Sequence, residues 1–146
     1  MIDITEKRIV KREATASGKI FLKKETIDKI IKKEVRKGDV FETARIAGIN
    51  AVKQTQLLIP HCHQIPINFI GFEFRIDENF IEAVCHVKTE AKTGLEMESI
   101  VGVSIALNTI WDMVKYMEKD ENGQYPATKI TDIRILEKIK EKELNH

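Results

Sequence analysis

Asp112 and Lys115 stand three residues apart in a stretch, Met97 to Lys119, that is otherwise apolar around most of its circumference. Residues at i and i+3 share one face of a helix, so this carboxylate and ammonium can form an ion pair or a couple for proton transfer. A helix this apolar is expected to be largely buried, and buried charges are costly unless paired, so both residues are expected to find partners. Glu98 precedes Asp112 by 14 residues. It therefore shares their face but lies about 21 Å away at the helical rise of 1.5 Å per residue. One small ligand can hardly bridge that distance within one chain. If Glu98 and Asp112 serve one reaction, the simplest geometry is a site formed where two copies of the chain meet.

His61-Cys62-His63 follows Pro60 at the end of a predicted helix, a loop position that keeps imidazoles accessible for acid–base work or phosphate contact. Cys85 and His86 would raise the number of potential zinc ligands to five. Neighbours on a strand point to opposite faces, however, so no metal site is expected, and Cys62 and Cys85 read as small buried hydrophobes. In Lys37-Gly38-Asp39, just before a helix, glycine permits close backbone approach and free N–H groups attract anions. The plainer reading makes Gly38 a turn, Asp39 a cap and Lys37 a solvated charge. Glu96, three residues after Thr93, fits a capping box. Arg45 and Lys53 lie on one helix about 80° apart and could reach phosphates or solvent equally well.

These residues need a scaffold. Arg8 to Leu22 reads as a strand bent at Ser17-Gly18, and Lys23 to Glu34 as a short surface helix with one buried stripe. Asp39 and Glu42 form a capping box that opens a helix running to about Leu58. Ile65 to Ile76 and Phe80 to Thr89 form a hairpin around Asp77-Glu78-Asn79. The helix Met97 to Lys119 follows, capped by Thr93, and Lys129 to Leu136 makes a final strand. Leaving out the short helix, the order is β-α-β-β-α-β. It predicts an α+β, ferredoxin-like fold with an antiparallel sheet and helices on one face.

The 146 residues, 42% of them hydrophobic, suit one domain over the whole chain. Lys and Arg (24) almost balance Asp and Glu (23), which disfavours a nucleic-acid partner. No apolar run approaches the roughly 20 residues of a membrane span. Two distant cysteines, with no basic and apolar signal region at Met1-Ile2-Asp3-Ile4, fit a reducing cytoplasm.

Four stretches carry a resemblance. They are Lys37-Gly38-Asp39-Val40-Phe41-Glu42-Thr43-Ala44-Arg45-Ile46-Ala47-Gly48-Ile49, Leu58-Ile59-Pro60-His61-Cys62-His63, Lys92-Thr93-Gly94-Leu95-Glu96-Met97-Glu98 and Trp111-Asp112-Met113-Val114-Lys115. Together they resemble the MoaC family of cyclic pyranopterin monophosphate synthases, from Ile2-Asp3-Ile4 to about Leu136. The resemblance implies a ferredoxin-like fold, a hexamer built as a trimer of dimers, and active sites between subunits. It implies a cyclised GTP derivative, 3′,8-cyclo-7,8-dihydro-GTP, as substrate, with cyclic pyranopterin monophosphate and diphosphate as products. By motif, Asp112, Lys115 and Lys37 match catalytic positions, while His61, Cys62, His63, Glu96, Met97 and Glu98 match substrate-contacting ones. Lys53 and His63 would help neutralise the triphosphate. Lys115 is expected to be the general acid, with Asp112 as its partner or base. No resident cofactor is expected, although Mg2+ could accompany the triphosphate. The chain departs from the family at its end, where Glu137-Lys138-Ile139-Lys140 replaces a lysine, serine and glycine-rich segment. A phosphate contact from the tail is therefore in doubt, with Lys138 as a substitute. The rival reading is a non-catalytic, nucleotide-binding regulatory module on the same fold.

Overall fold

Ala14, Ala16 and Ile20 fall at alternate positions of one strand, and Ile81, Ala83, Cys85 and Val87 at alternate positions of another, so each set lines one buried face. The structure, a computed structural model, describes residues 1–141. Its elements are β1 (Val10–Phe21), α1 (Lys24–Ile31), α2 (Val40–Lys53), α3 (Thr55–Leu58), β2 (Phe69–Ile76), β3 (Phe80–Ala91), α4 (Glu96–Glu118) and β4 (Lys129–Lys140). The sheet order is β2-β3-β1-β4, and every neighbouring pair is antiparallel. This is the predicted ferredoxin-like arrangement, with α2 and α4 packed side by side against one face. No helix among the described residues is long and apolar enough to cross a membrane.

Two glycines set how closely those helices approach the sheet and each other. A Cβ on Gly48 would lie 2.3 Å from Cζ of Phe72, and one on Gly102 would lie 2.7 Å from Cγ2 of Val52. The Phe72 ring of β2 thus fills the space their missing side chains leave. Val103, Ala106, Leu107, Ile110 and Val114 of α4 are fully buried and complete the core.

Local chemistry explains where elements stop. Asp39 caps α2 as predicted, its carboxylate accepting from the Glu42 N–H at 3.0 Å. The predicted single helix to Leu58 breaks after Lys53. The hydroxyl of buried Thr55 donates to the Ala51 and Val52 carbonyls, and only the one-turn α3 follows. α1 closes early because Lys33 takes a left-handed conformation (φ 58°), with its N–H bonded to the Ile30 carbonyl and that of Glu34 to Lys29. The Thr93 capping box does not form. Leu95 occupies the cap of α4 without a side-chain hydrogen bond, so Thr93-Gly94 belongs to the preceding turn. β4 runs four residues beyond the predicted Leu136, since an edge strand accommodates the charges of Glu137, Lys138 and Lys140. Its imperfect alternation has a cause in the register shifts opposite β1 at Thr15/Ala16 and Ser17/Lys19.

Candidate active site at the two ends of α4

α4 carries the predicted residues at opposite ends. Its first turn holds Glu96, Met97 and Glu98, and its last two turns hold Asp112 and Lys115. The sheet and α2 cover most of the helix, which leaves Met97, Ser104, Asn108, Asp112 and Lys115 along a stripe that is open or half open. The expectation that Asp112 and Lys115 are buried is therefore corrected: the Asp112 side chain is 59% exposed and that of Lys115 45%. The apolar residues flanking them face the core, and the pair faces out.

The pair is nevertheless made. Lys115 Nζ lies 3.0 Å from Asp112 Oδ1. Lys37, from the loop before α2, donates its Nζ to the Asp112 carbonyl at 2.9 Å and to Oδ2 at 3.2 Å. The solvated-charge reading of Lys37 is thus corrected as well. Hydrogen bonds from Lys115, then Lys37, hold the Asp112 carboxyl below its usual range, and the bond to Asp112 holds Lys115 above its own. Asp112 is therefore a carboxylate and Lys115 an ammonium near neutral pH. Asn108, Trp111 and Ile130 complete an open depression of about 460 Å³ around this pair. Asn108 lies one turn before Asp112 on the same stripe, and its i, i+4 spacing from Asp112 is the sequence signal for it.

At the other end is a cavity of about 620 Å³. The loop His61, Cys62 and His63 lines one side, and Thr93, Gly94, Glu96, Met97 and Glu98 another. Met1, Ile2, Ile4 and Lys7 from the N-terminal segment close it, held there by a 2.7 Å hydrogen bond between His63 Nε2 and the Ile2 carbonyl. The Lys92 ammonium adds a 3.0 Å bond to the Thr5 carbonyl. Lys7 carried no signal in the sequence, because only tertiary contact brings it here.

Glu98 is only 5% exposed, and burial pushes its carboxyl upward, with Glu96 adding to the effect. Burial and then the Glu98 charge raise the Cys62 thiol too. Cys62 borders the cavity and is only partly buried, which departs from the core reading made for it. Cys85 does sit in the core, its thiol pushed up to about 12 by burial, while His86 on the opposite face meets Glu13 at 3.1 Å. Those two side chains therefore cannot share a metal. Glu96 Oε1 is sealed from solvent, and the Lys138 ammonium lies 3.3 Å away but too poorly aligned for a hydrogen bond. Lys53 ends α2, exposed, and does not line the cavity. Arg45 is occupied structurally, donating to the Phe72 carbonyl at 2.7 Å.

One chain thus offers a half-enclosed cavity with a protonatable carboxyl and two imidazoles, and a separate acid–base pair with an added lysine. Comparison with known proteins gives this division a context. Residues 1–141 match the family model described as the MoaC family. A protein of Sulfolobus acidocaldarius described as a probable cyclic pyranopterin monophosphate synthase is 54% identical over 96% of this chain and 98% of its own length. Those of Methanosarcina mazei (55% identical, 97% and 90% covered) and Thermococcus kodakarensis (52%, 98% and 92%) carry the same description. With similarity running from the N-terminal segment through both ends of α4 and into β4, the chain belongs to the MoaC family.

Proposed function

We infer that this chain converts (8S)-3′,8-cyclo-7,8-dihydroguanosine 5′-triphosphate to cyclic pyranopterin monophosphate with release of diphosphate, an early step of molybdenum cofactor biosynthesis. Synthesis of cyclic pyranopterin monophosphate is the activity its relatives' names state. The observation that carries the assignment of residues is the pairing of Lys115 and Lys37 with one ionised carboxylate, Asp112, on an open stripe of α4.

Opening the purine's five-membered ring and building a pterin requires protons to reach and leave nitrogen atoms. Lys115, kept protonated by Asp112, serves as the acid, and Asp112 receives or relays protons. In the closing step a ribose hydroxyl oxygen bonds to the α-phosphorus as the bond to the β-phosphate bridge breaks. The hydroxyl's proton passes to a base and diphosphate departs. Lys37, Lys53 and His63 neutralise the charge that builds on the departing group. Glu96, Met97 and Glu98, with His61, Cys62 and His63, hold the heterocycle and ribose; a raised Glu98 carboxyl can donate as well as accept a hydrogen bond. Since Glu98 and Asp112 lie about 21 Å apart along the axis of α4, a complete site takes one end from each of two chains. A hexamer, arranged as a trimer of dimers, satisfies that requirement.

The test is release of diphosphate and pterin from enzymatically prepared cyclised GTP, with Lys115→Ala beside the parent. The parent turns over and the variant is slower by about 10²-fold or more, the usual loss for a general acid, with its unfolding midpoint unchanged. Tight binding without product by the parent would instead favour a nucleotide-binding regulatory module.

A further inference from the structure

α4 grips the loop between α1 and α2 at two points. Asp112 holds the Lys37 side chain, as described above. One turn later, the Tyr116 hydroxyl accepts a 2.9 Å hydrogen bond from the Arg36 backbone N–H, and the Arg36 guanidinium lies over the Tyr116 ring, 4.9 Å from its centroid. Asp112 and Tyr116 are i and i+4, so both grips come from one helical face.

The loop depends on such anchors. Left-handed residues bracket it, Lys33 at φ 58° and Gly38 at φ 113°, and a Cβ on Gly38 would meet nothing within 4 Å. Within it Val35 is buried, and the Gly38 N–H bonds to the Val35 carbonyl at 3.1 Å. Arg36 and Lys37 are exposed. The Arg36 N–H is the last backbone donor ahead of Lys37, and a phenol from α4 satisfies it. A long, flexible ammonium stem is thereby rooted in a backbone tethered to α4.

We propose that Tyr116 is a positioning residue for Lys37: by holding the Arg36 amide it presents the Lys37 ammonium beside Asp112 and Lys115 before substrate arrives. The proposal rests on the assignment of Lys37 to the reaction. Tyr116 need not touch substrate, and its effect passes entirely through the residue it places.

A double-mutant cycle tests this. Tyr116→Phe keeps the ring under Arg36 and removes only the acceptor. Diphosphate release from cyclised GTP is measured for the parent, Tyr116→Phe, Lys37→Ala and the double variant, together with unfolding midpoints and hydrogen exchange at the Arg36 amide. Tyr116→Phe lowers kcat by about three- to tenfold, the loss expected for one neutral hydrogen bond. It also speeds Arg36 exchange, and adds nothing in the Lys37→Ala background. If Lys37→Ala is slow but Tyr116→Phe is fully active, or is equally damaging in both backgrounds, the positioning role is wrong and the assignment of Lys37 stands. If Lys37→Ala turns over like the parent, that assignment fails and the proposal falls with it.

Discussion

Glu118, fully buried at the end of α4, is a residue whose removal should cost this fold heavily. Its carboxylate accepts from the Lys23 N–H at 3.1 Å, from the Thr128 hydroxyl at 2.7 Å and from the Thr26 hydroxyl. Lys23 caps α1 but offers no side-chain acceptor of its own, so a neighbouring helix supplies the cap and the negative charge that the N-terminus of α1 favours. Glu118→Ala strands three donors, at about 1–3 kcal/mol for each left unsatisfied. The Lys23 N–H cannot turn elsewhere, whereas a threonine hydroxyl can find some compensation, so a total of about 3–5 kcal/mol is expected. That is a large share of the roughly 5–15 kcal/mol by which domains are stable. Thr128→Val removes one donor and leaves the carboxylate two, and should cost about 1–2 kcal/mol. Glu118→Gln should fall near Thr128→Val, because the Thr128 hydroxyl can rotate to accept from the new amide. Urea unfolding followed by the single tryptophan, Trp111, reads all three, at one fixed protein concentration in case assembly contributes. A Glu118→Ala protein within about 1 kcal/mol of the parent, or more stable than Thr128→Val, would refute the reasoning.

Glu98→Gln should stabilise the chain near neutral pH while lowering turnover. A carboxyl raised in the folded state penalises folding as pH climbs past its ordinary 4.5, so the gain should fade as pH falls below that value; unfolding midpoints across pH 3–8 give the sign. Gly48→Ala should destabilise despite the better helix propensity of alanine. Its Cβ would meet the buried Phe72 ring at 2.3 Å, setting an overpacking cost of about 1–3 kcal/mol against a gain of about 1 kcal/mol, and a neutral result in urea unfolding would show that the ring yields.

Much of the scaffold was legible because local chemistry and tertiary structure agree there. Asp39 caps where its spacing with Glu42 said it would, Asp77-Glu78-Asn79 turns the hairpin, and Ser17-Gly18 marks where β1 and β4 lose register. The failures have physical causes. Thr93 and Glu96 match a capping box, yet the helix caps at Leu95, two residues too late for Thr93 to use it. The helix expected to run unbroken to Leu58 divides after Lys53, where the Thr55 hydroxyl, opening α3, bonds to two carbonyls behind it. Apolar periodicity in α4 indicated burial but not which third of the surface stays open, because that depends on where α2 and the sheet lie. For the site, the spacing of Asp112 and Lys115 predicted their contact, and the distance to Glu98 predicted two separate clusters. Lys37 joining the pair, and Lys7 with Ile2 walling the other cavity, arise from long-range contacts that no local pattern encodes.

The separation of those clusters along one rigid helix has a genetic corollary. If each complete site draws one end of α4 from each of two chains, inactivating alleles fall into two groups according to the end they damage. Two alleles from the same group leave every site broken, however their chains assort. Two from different groups, expressed together, leave some sites facing an undamaged end on both sides, so the pair can support growth that neither supports alone. An allele damaging both ends would instead spoil its neighbours' sites as well as its own and act dominantly in mixed assemblies. With sites shared in this way, the length of α4 governs how mutations in this gene combine.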